Sequence, residues 1–294
     1  METPVLPPMM NLFVFGTCRV HDAADRLHGE FGLPIRHSMH RVHNGPQVYQ
    51  MARVLSGENP VPAGLSHTLS DRAFKLALEE DRFQNRIRYR NAALGNVRKD
   101  YQAYIIELSS RKDYFLERPG GTQLTMNAMA KRDLLTYGGR LNGLIEKGLV
   151  EPVAPDDIHE RLLSSKEILQ SMRQVKAYLG YKPVLWVSHI NIVEPTPGEV
   201  RLQDARTKLS SLIAQGAARF GDPFFDPTDL VRIYGRERIF ADGGQDLDHY
   251  SPFGVTAVSE YYARYLLPET WAQNRSTPMP APVETSTAET GSVA

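Results

Sequence analysis

Five short strand-like runs, three of them strongly apolar, alternate with helical patterns along this chain, and that alternation limits the fold more than any other feature. The runs are "NLFVFG" (11–16), "LPIRHSMHRV" (33–42), "YQAYIIELSS" (101–110), "KPVLWVSHI" (182–190) and "DPFFDP" (222–227). The runs at 11–16, 101–110 and 182–190, rich in branched and aromatic residues, predict buried strands, while 33–42 reads as a weaker strand and 222–227 as a short fifth candidate. Between them lie segments with helical spacing. Val20, Ala24 and Leu27 share one face of a helix that begins near Cys18. "SDRAFKLALEEDRFQNRI" (70–87) opens on a Ser cap, and 125–148 reads as an interrupted helix. "PDDIHERLLSSKEILQSMRQVKAYLG" (155–180) reads as a helix from Pro to Gly, and 203–221 and 251–266 complete the set. Strands separated by helices predict parallel pairing. The expected architecture is a three-layer α/β/α sandwich around a central parallel sheet of about five strands. In such a sheet the ligand site lies at the carboxyl ends of the strands.

Cys18 stands at one of those ends. It is the only cysteine in 294 residues, so it has no internal disulfide partner and no Cys-rich metal set to join. Two readings are open: a reactive thiol at a helix start, or a small buried core residue. A second stretch, "DLDHYSPFG" (246–254), favours the first. Asp246 and His249 are three apart, so the carboxylate can accept the imidazole Nδ1–H and leave Nε2 for a nucleophile. The bland alternative is a cap for the last helix, since Ser251 is a good capping residue.

With Gly16-Thr17-Cys18 after the first strand and Asp246-x-x-His249 before the last helix, residues 11 to 267 resemble the SGNH (GDSL-like) hydrolases. In motif the chain is nearest to the GSCFA-type proteins, with cysteine at the nucleophile position. The resemblance implies a flavodoxin-like sheet order, Cys18 as nucleophile, His249 as base and then acid, and Asp246 as its orienting partner. It implies an oxyanion-hole glycine after strand two, for which Gly45 is the candidate. No asparagine fills the family's place after strand three, where Glu107, Ser109, Ser110 and Arg111 stand instead. His189, after strand four, is a further candidate for the same cleft. A helix N-terminus and a neighbouring imidazolium would both lower the thiol pKa.

The implied chemistry is Cys-dependent acyl hydrolysis or acyl transfer on an ester, thioester or activated amide, with a small-molecule or carrier-bound acyl substrate and no cofactor. The alternative is an inactive SGNH-like module that binds a ligand or carrier. A third reading is a non-hydrolytic enzyme using His189 with basic residues. His37, His40 and His43 do not have zinc-motif spacing, so no metal site is expected. The formal net charge is zero, so no basic footprint announces nucleic acid, and "RIRYR" (86–90) reads as a solvated helix face. No run approaches the ~20 apolar residues of a membrane span. The start lacks the pattern of a secretory signal. These features predict a cytoplasmic protein that uses neither membrane nor nucleic acid. Residues 1–10 are expected to be loose, 111–160 to form a partial lid within the domain, and 268–294, rich in Pro, Ser and Thr, to be a disordered tail. The sequence leaves the oligomeric state open.

Overall fold

The structure is a computed structural model that describes residues 10–29, 31, 33, 35–56, 58, 96–117, 123–126, 156, 158–191 and 204–266. The expected helix at 70–87, the body of 125–148, and the expected loose N-terminus and C-terminal tail lie outside the described residues, apart from Met10.

Among the described residues, five strands form one parallel sheet: β1 (Met10–Gly16), β2 (Ile35–Arg41), β3 (Ala103–Leu108), β7 (Val184–Ser188) and β8 (Phe224–Phe225). Their spatial order is β2-β1-β3-β7-β8. Order and direction are those of the expected doubly wound α/β fold.

Both faces of the sheet are covered, and consecutive strand residues divide between two cores. Leu12 and Val14 of β1, Ile105 of β3, and Leu185 and Val187 of β7 pack on one face. Against them lie α1 (Cys18–Gly29) and α6 (Pro252–Leu266), through Leu27, Val258 and Tyr262. Phe13, Phe15, Tyr104, Ile106, Val184 and Trp186 point to the opposite face. There they meet α2 (Gly45–Leu55), α3 (Ser165–Tyr178) and α4 (Asp204–Phe220). The period of two along each strand therefore builds three layers from continuous apolar runs.

The stretch 155–163 departs from the helical reading. Ile158–Leu162 is a strand, β6, that pairs antiparallel with β4 (Lys112–Glu117), which also pairs with β5 (Gln123–Met126). Residues 125–126 thus end a strand rather than open a helix. The helix after β6 begins at Ser165 because Ser164 makes a reciprocal capping box with Glu167. The Ser164 hydroxyl accepts the Glu167 N–H at 3.3 Å, and the Glu167 carboxylate accepts the Ser164 N–H at 2.8 Å. A cap this complete sets the boundary more strongly than the Pro and Asp residues upstream. The small antiparallel sheet occupies part of the segment expected to be a lid.

After β8, the chain passes through α5 (Thr228–Tyr234) and single turns at Arg236–Ile239 and Ala241–Gly244 into β9 (Asp246–Tyr250). β9 carries the Asp246/His249 pair and leads into α6 through Ser251. That residue does cap α6: its hydroxyl accepts the Gly254 N–H at 3.0 Å and donates to Arg238 O. Among the described residues, no helix is long and apolar enough to cross a membrane.

Candidate active site

The carboxyl ends of β1, β3 and β7 converge where Cys18 opens α1. The first bond of the helical ladder runs from His21 N–H to Thr17 O, at 3.3 Å. The amides of Cys18, Arg19 and Val20 therefore have no intrahelical acceptor and make a donor-rich helix start. The Cys18 thiol is half-buried. Burial pushes its pKa up, and the Asp22 and Glu107 carboxylates push the same way. Arg41 and Arg19 pull it down but do not prevail. The resting group is thus a thiol rather than the thiolate expected from the helix start, because desolvation outweighs the nearby positive charge.

Asp246 and His249 form the expected pair, with His249 Nδ1 2.8 Å from Asp246 Oδ2. The other oxygen, Oδ1, accepts the Asp248 N–H at 2.9 Å and the His249 N–H at 3.2 Å. The hydrogen bond with His249 is the main cause holding the Asp246 carboxyl below its usual range. The carboxylate thus fixes the Nδ1–H tautomer and leaves Nε2 as the acceptor. The His249 side chain is 55% exposed.

Arg19, next to Cys18, ties β9 to the start of α1. Its Nε donates to Asp248 O at 3.3 Å, and Nη2 lies 3.8 Å from Asp248 Oδ1. Asp22 lies one turn beyond Cys18 on the same face of α1; burial, helped by Asp25, raises its pKa, and His249 pulls the other way without prevailing. Among the described residues, no hydrogen bond joins the thiol to His249 itself.

A second carboxylate–imidazole pair lies beneath this arrangement. Glu107, near the end of β3, is 2% exposed. Its Oε2 accepts the Thr17 N–H at 2.7 Å, and its Oε1 lies 2.8 Å from His189 Nδ1. Burial raises the Glu107 pKa, but the hydrogen bonds from His189 and Thr17 outweigh it and hold the carboxyl at about 2. Burial pushes the His189 pKa down, and the hydrogen bond with Glu107 opposes it without prevailing. Glycine is required at position 16, since a Cβ there would come within 2.9 Å of Glu107 Cβ and 3.0 Å of its Oε2. The pairing was detectable only as a hint: Glu107 is the one charge in "AYIIEL", a strand whose faces are both covered.

Gly45 opens α2 and backs onto α3, where a Cβ would strike the Ser171 side chain. Ser109 and Ser110 donate their amides to His43 O at 2.8 and 3.0 Å. Arg111 gives two hydrogen bonds to Leu163 O, at 3.1 and 2.9 Å. Each of these candidates thus has a structural role of its own. Among the described residues, no group of three or more His, Cys, Asp or Glu is placed to hold a metal ion.

His43 and Glu107 predict a wide acid-sensitive range. Burial holds His43 at about 4, below its ordinary 6.5, so the unfolded chain takes up that proton first. The stability that this group gives is lost as pH falls from about 6.5 to about 4. Glu107 is held at about 2 against 4.5, so its contribution is present above 4.5 and is lost between 4.5 and 2. Calorimetry should show the melting temperature falling from pH 7 to pH 4, by roughly 2–4 °C per kcal/mol lost. His43→Gln should flatten that limb, whereas an unchanged slope would dismiss this partly buried imidazole as its source.

Comparison with known proteins places this geometry in context. A family model described as the TviD N-terminal domain matches residues 154–263. The match holds β7, His189, Asp246, His249 and most of α6, but not Cys18. The Vi polysaccharide biosynthesis protein TviD of Salmonella typhi is 24% identical over 281 residues, covering 86% of this chain. This chain spans only about a third (31%) of that protein's length. Among solved structures, an acetylxylan esterase from Geobacillus stearothermophilus is similar at a TM-score of 0.41 and 10% identity, over 88% of this chain and 95% of that one. A lipopolysaccharide acetyltransferase periplasmic domain from Salmonella ser. Paratyphi A is similar at 0.35 and 9%, over 76% and 68%.

Proposed function

We propose that this protein is a cysteine-dependent acyltransferase or acyl hydrolase of SGNH type, with Cys18 as nucleophile, His249 as base and acid, and Asp246 as the group that orients His249. The observation that carries this reading is the Asp246–His249 pair at 2.8 Å, on a strand that Arg19 ties to the helix start bearing the only cysteine. The likeness to a Vi polysaccharide biosynthesis protein favours a saccharide hydroxyl as acyl acceptor.

The chemistry follows from a protonated thiol. The Cys18 sulfur adds to the acyl carbonyl while its proton passes to His249 Nε2. The amides that open α1 offer donors to the oxyanion that forms. The intermediate then collapses, and His249 returns the proton to the leaving group. The acyl group now sits on Cys18 as a thioester. Water or an acceptor hydroxyl, giving its proton to His249, attacks the thioester and frees the thiol. The antiparallel sheet β4-β5-β6 belongs to the proposed lid and shapes the acyl pocket. The protein acts on a small or carrier-bound substrate without a cofactor, in the cytoplasm.

The direct test is intact-mass analysis after mixing with p-nitrophenyl acetate. Gain of one acetyl group on Cys18, lost again when an acceptor is added, supports the reading. Acetylation elsewhere, with Cys18 unmodified, would sink it. The competing reading is an inactive binding module, favoured by the missing hydrogen bond between Cys18 and His249. Asp246→Asn separates the two. An active enzyme should lose about 10²–10⁴-fold in turnover, because the amide no longer enforces the Nδ1–H tautomer. A binding module would keep its ligand affinity and show no turnover before or after.

A further inference from the structure

We propose that Glu107 and His189 form a buried positioning dyad that fixes the Gly16-Thr17-Cys18 turn and so aims the Cys18 sulfur. The inference rests on the thiol-dependent reading above and extends it to residues that the Cys18, His249 and Asp246 triad does not use.

Three adjacent strand ends meet in this dyad. Thr17 follows β1, Glu107 lies on β3 and His189 follows β7. In register, Glu107 sits opposite Val187, and both Glu107 and His189 fall on the face that carries α1. Each carboxylate oxygen has its own partner. Oε2 takes the Thr17 N–H at 2.7 Å, and Oε1 faces His189 Nδ1 at 2.8 Å. The side chains of the pair are 3% and 12% exposed, so little water competes for either bond. A buried carboxylate is costly unless its oxygens are satisfied, and here both are.

The clamp has a chemical consequence. With its N–H held by Glu107, Thr17 cannot donate to an oxyanion. The amides of Cys18 and Arg19 are then the ones presented at the helix start. His189, with Nδ1–H donated to Glu107, keeps Nε2 on the far side of its ring as an acceptor. A glutamine at 107 has one oxygen and one NH₂ group. It can hold Thr17, but its NH₂ then faces His189 Nδ1 and reverses the tautomer.

Glu107→Gln therefore removes charge and tautomer control while keeping size. The groups that act on the thiol are Arg19 and Asp22 from α1, Arg41 from β2 and Glu107 from β3, and Tyr250 of β9 interacts with it electrostatically as well. Losing one negative charge from this set should move the pH midpoint of Cys18 alkylation by iodoacetamide downward, by about half to one pH unit. Turnover of p-nitrophenyl acetate should fall about 10²-fold with KM nearly unchanged, as expected when the nucleophile is misaimed and substrate still binds. A folded Glu107→Gln protein with wild-type midpoint and wild-type turnover would overturn the proposal.

The His189 variants give an independent arm should Glu107→Gln not fold. His189→Ala should lower turnover about tenfold, and His189→Gln, which restores a donor at Glu107 Oε1, should recover most of it. Equal loss in the two, or no loss in either, overturns the positioning role. The alkylation midpoint reads the clamp whether or not an acyl group is transferred. Cys18→Ala with full turnover would instead sink the thiol reading on which the proposal stands.

Discussion

Cys18→Ala is expected to abolish acyl transfer, with turnover of p-nitrophenyl acetate falling at least about 10³-fold, or ~4 kcal/mol of barrier. Nothing else in the chain can supply a thiol, since Cys18 is the only cysteine. His249→Ala should cost a similar factor, because a thiol whose pKa is raised by burial must lose its proton during attack. Residues that act as one unit are not additive, so the double variant should be no slower than either single one. Both variants should keep their fold: Cys18 is half-buried and the His249 side chain is more than half exposed. Steady-state kinetics with melting curves as control decide the matter. Losses that multiply in the double variant would mean that the two residues act independently. Turnover retained by Cys18→Ala would remove the nucleophile.

The second large effect is expected at the opposite edge of the sheet. Lys176 of α3 and Asp222, just before β8, form an ion pair at 2.5 Å with side chains only 4% and 5% exposed. Lys176 Nζ also donates to Lys182 O at 2.7 Å, and Asp222 Oδ2 accepts the Trp186 Nε1–H at 3.0 Å. Lys176→Met keeps the aliphatic bulk but strands a buried carboxylate. A loss of about 3–5 kcal/mol in urea unfolding is expected. Asp222→Asn should cost less, because the amide oxygen still accepts part of the hydrogen bonding that the carboxylate holds. This pair lies at the amino ends of β7 and β8, away from Cys18, so the alkylation rate of folded Lys176→Met should match wild type. A loss below about 1 kcal/mol would place the pair among weak surface bridges instead.

These two effects reflect a division of labour along the strands. The carboxyl edge holds Cys18, the buried Glu107–His189 pair and the partly exposed β9 pair, the groups of the proposed chemistry. The amino edge holds Lys176, Asp222 and Trp186, where buried charge ties a helix to the sheet.

Strands β1, β3 and β7 were legible because each is buried on both faces and reads as a nearly continuous apolar run, whereas β2, "IRHSMHR", gave a weaker signal. Helices α1, α4 and α6 were legible from their spacing, and Cys18 and the Asp246-x-x-His249 pair from their places at a strand end and before the last helix. All of these signals are local. The antiparallel sheet was not legible: "IHERL" has no strong period, and only pairing with β4 makes it a strand. The true start of α3 was written in Ser164 and Glu167, but the acidic residues before it read as an earlier start. Tertiary structure alone decided the rest. Glu107 and His189 are 82 residues apart and meet because β3 and β7 pair in parallel. The thiol stays protonated because packing removes water from Cys18, and desolvation belongs to the folded surroundings rather than to any neighbour in the chain.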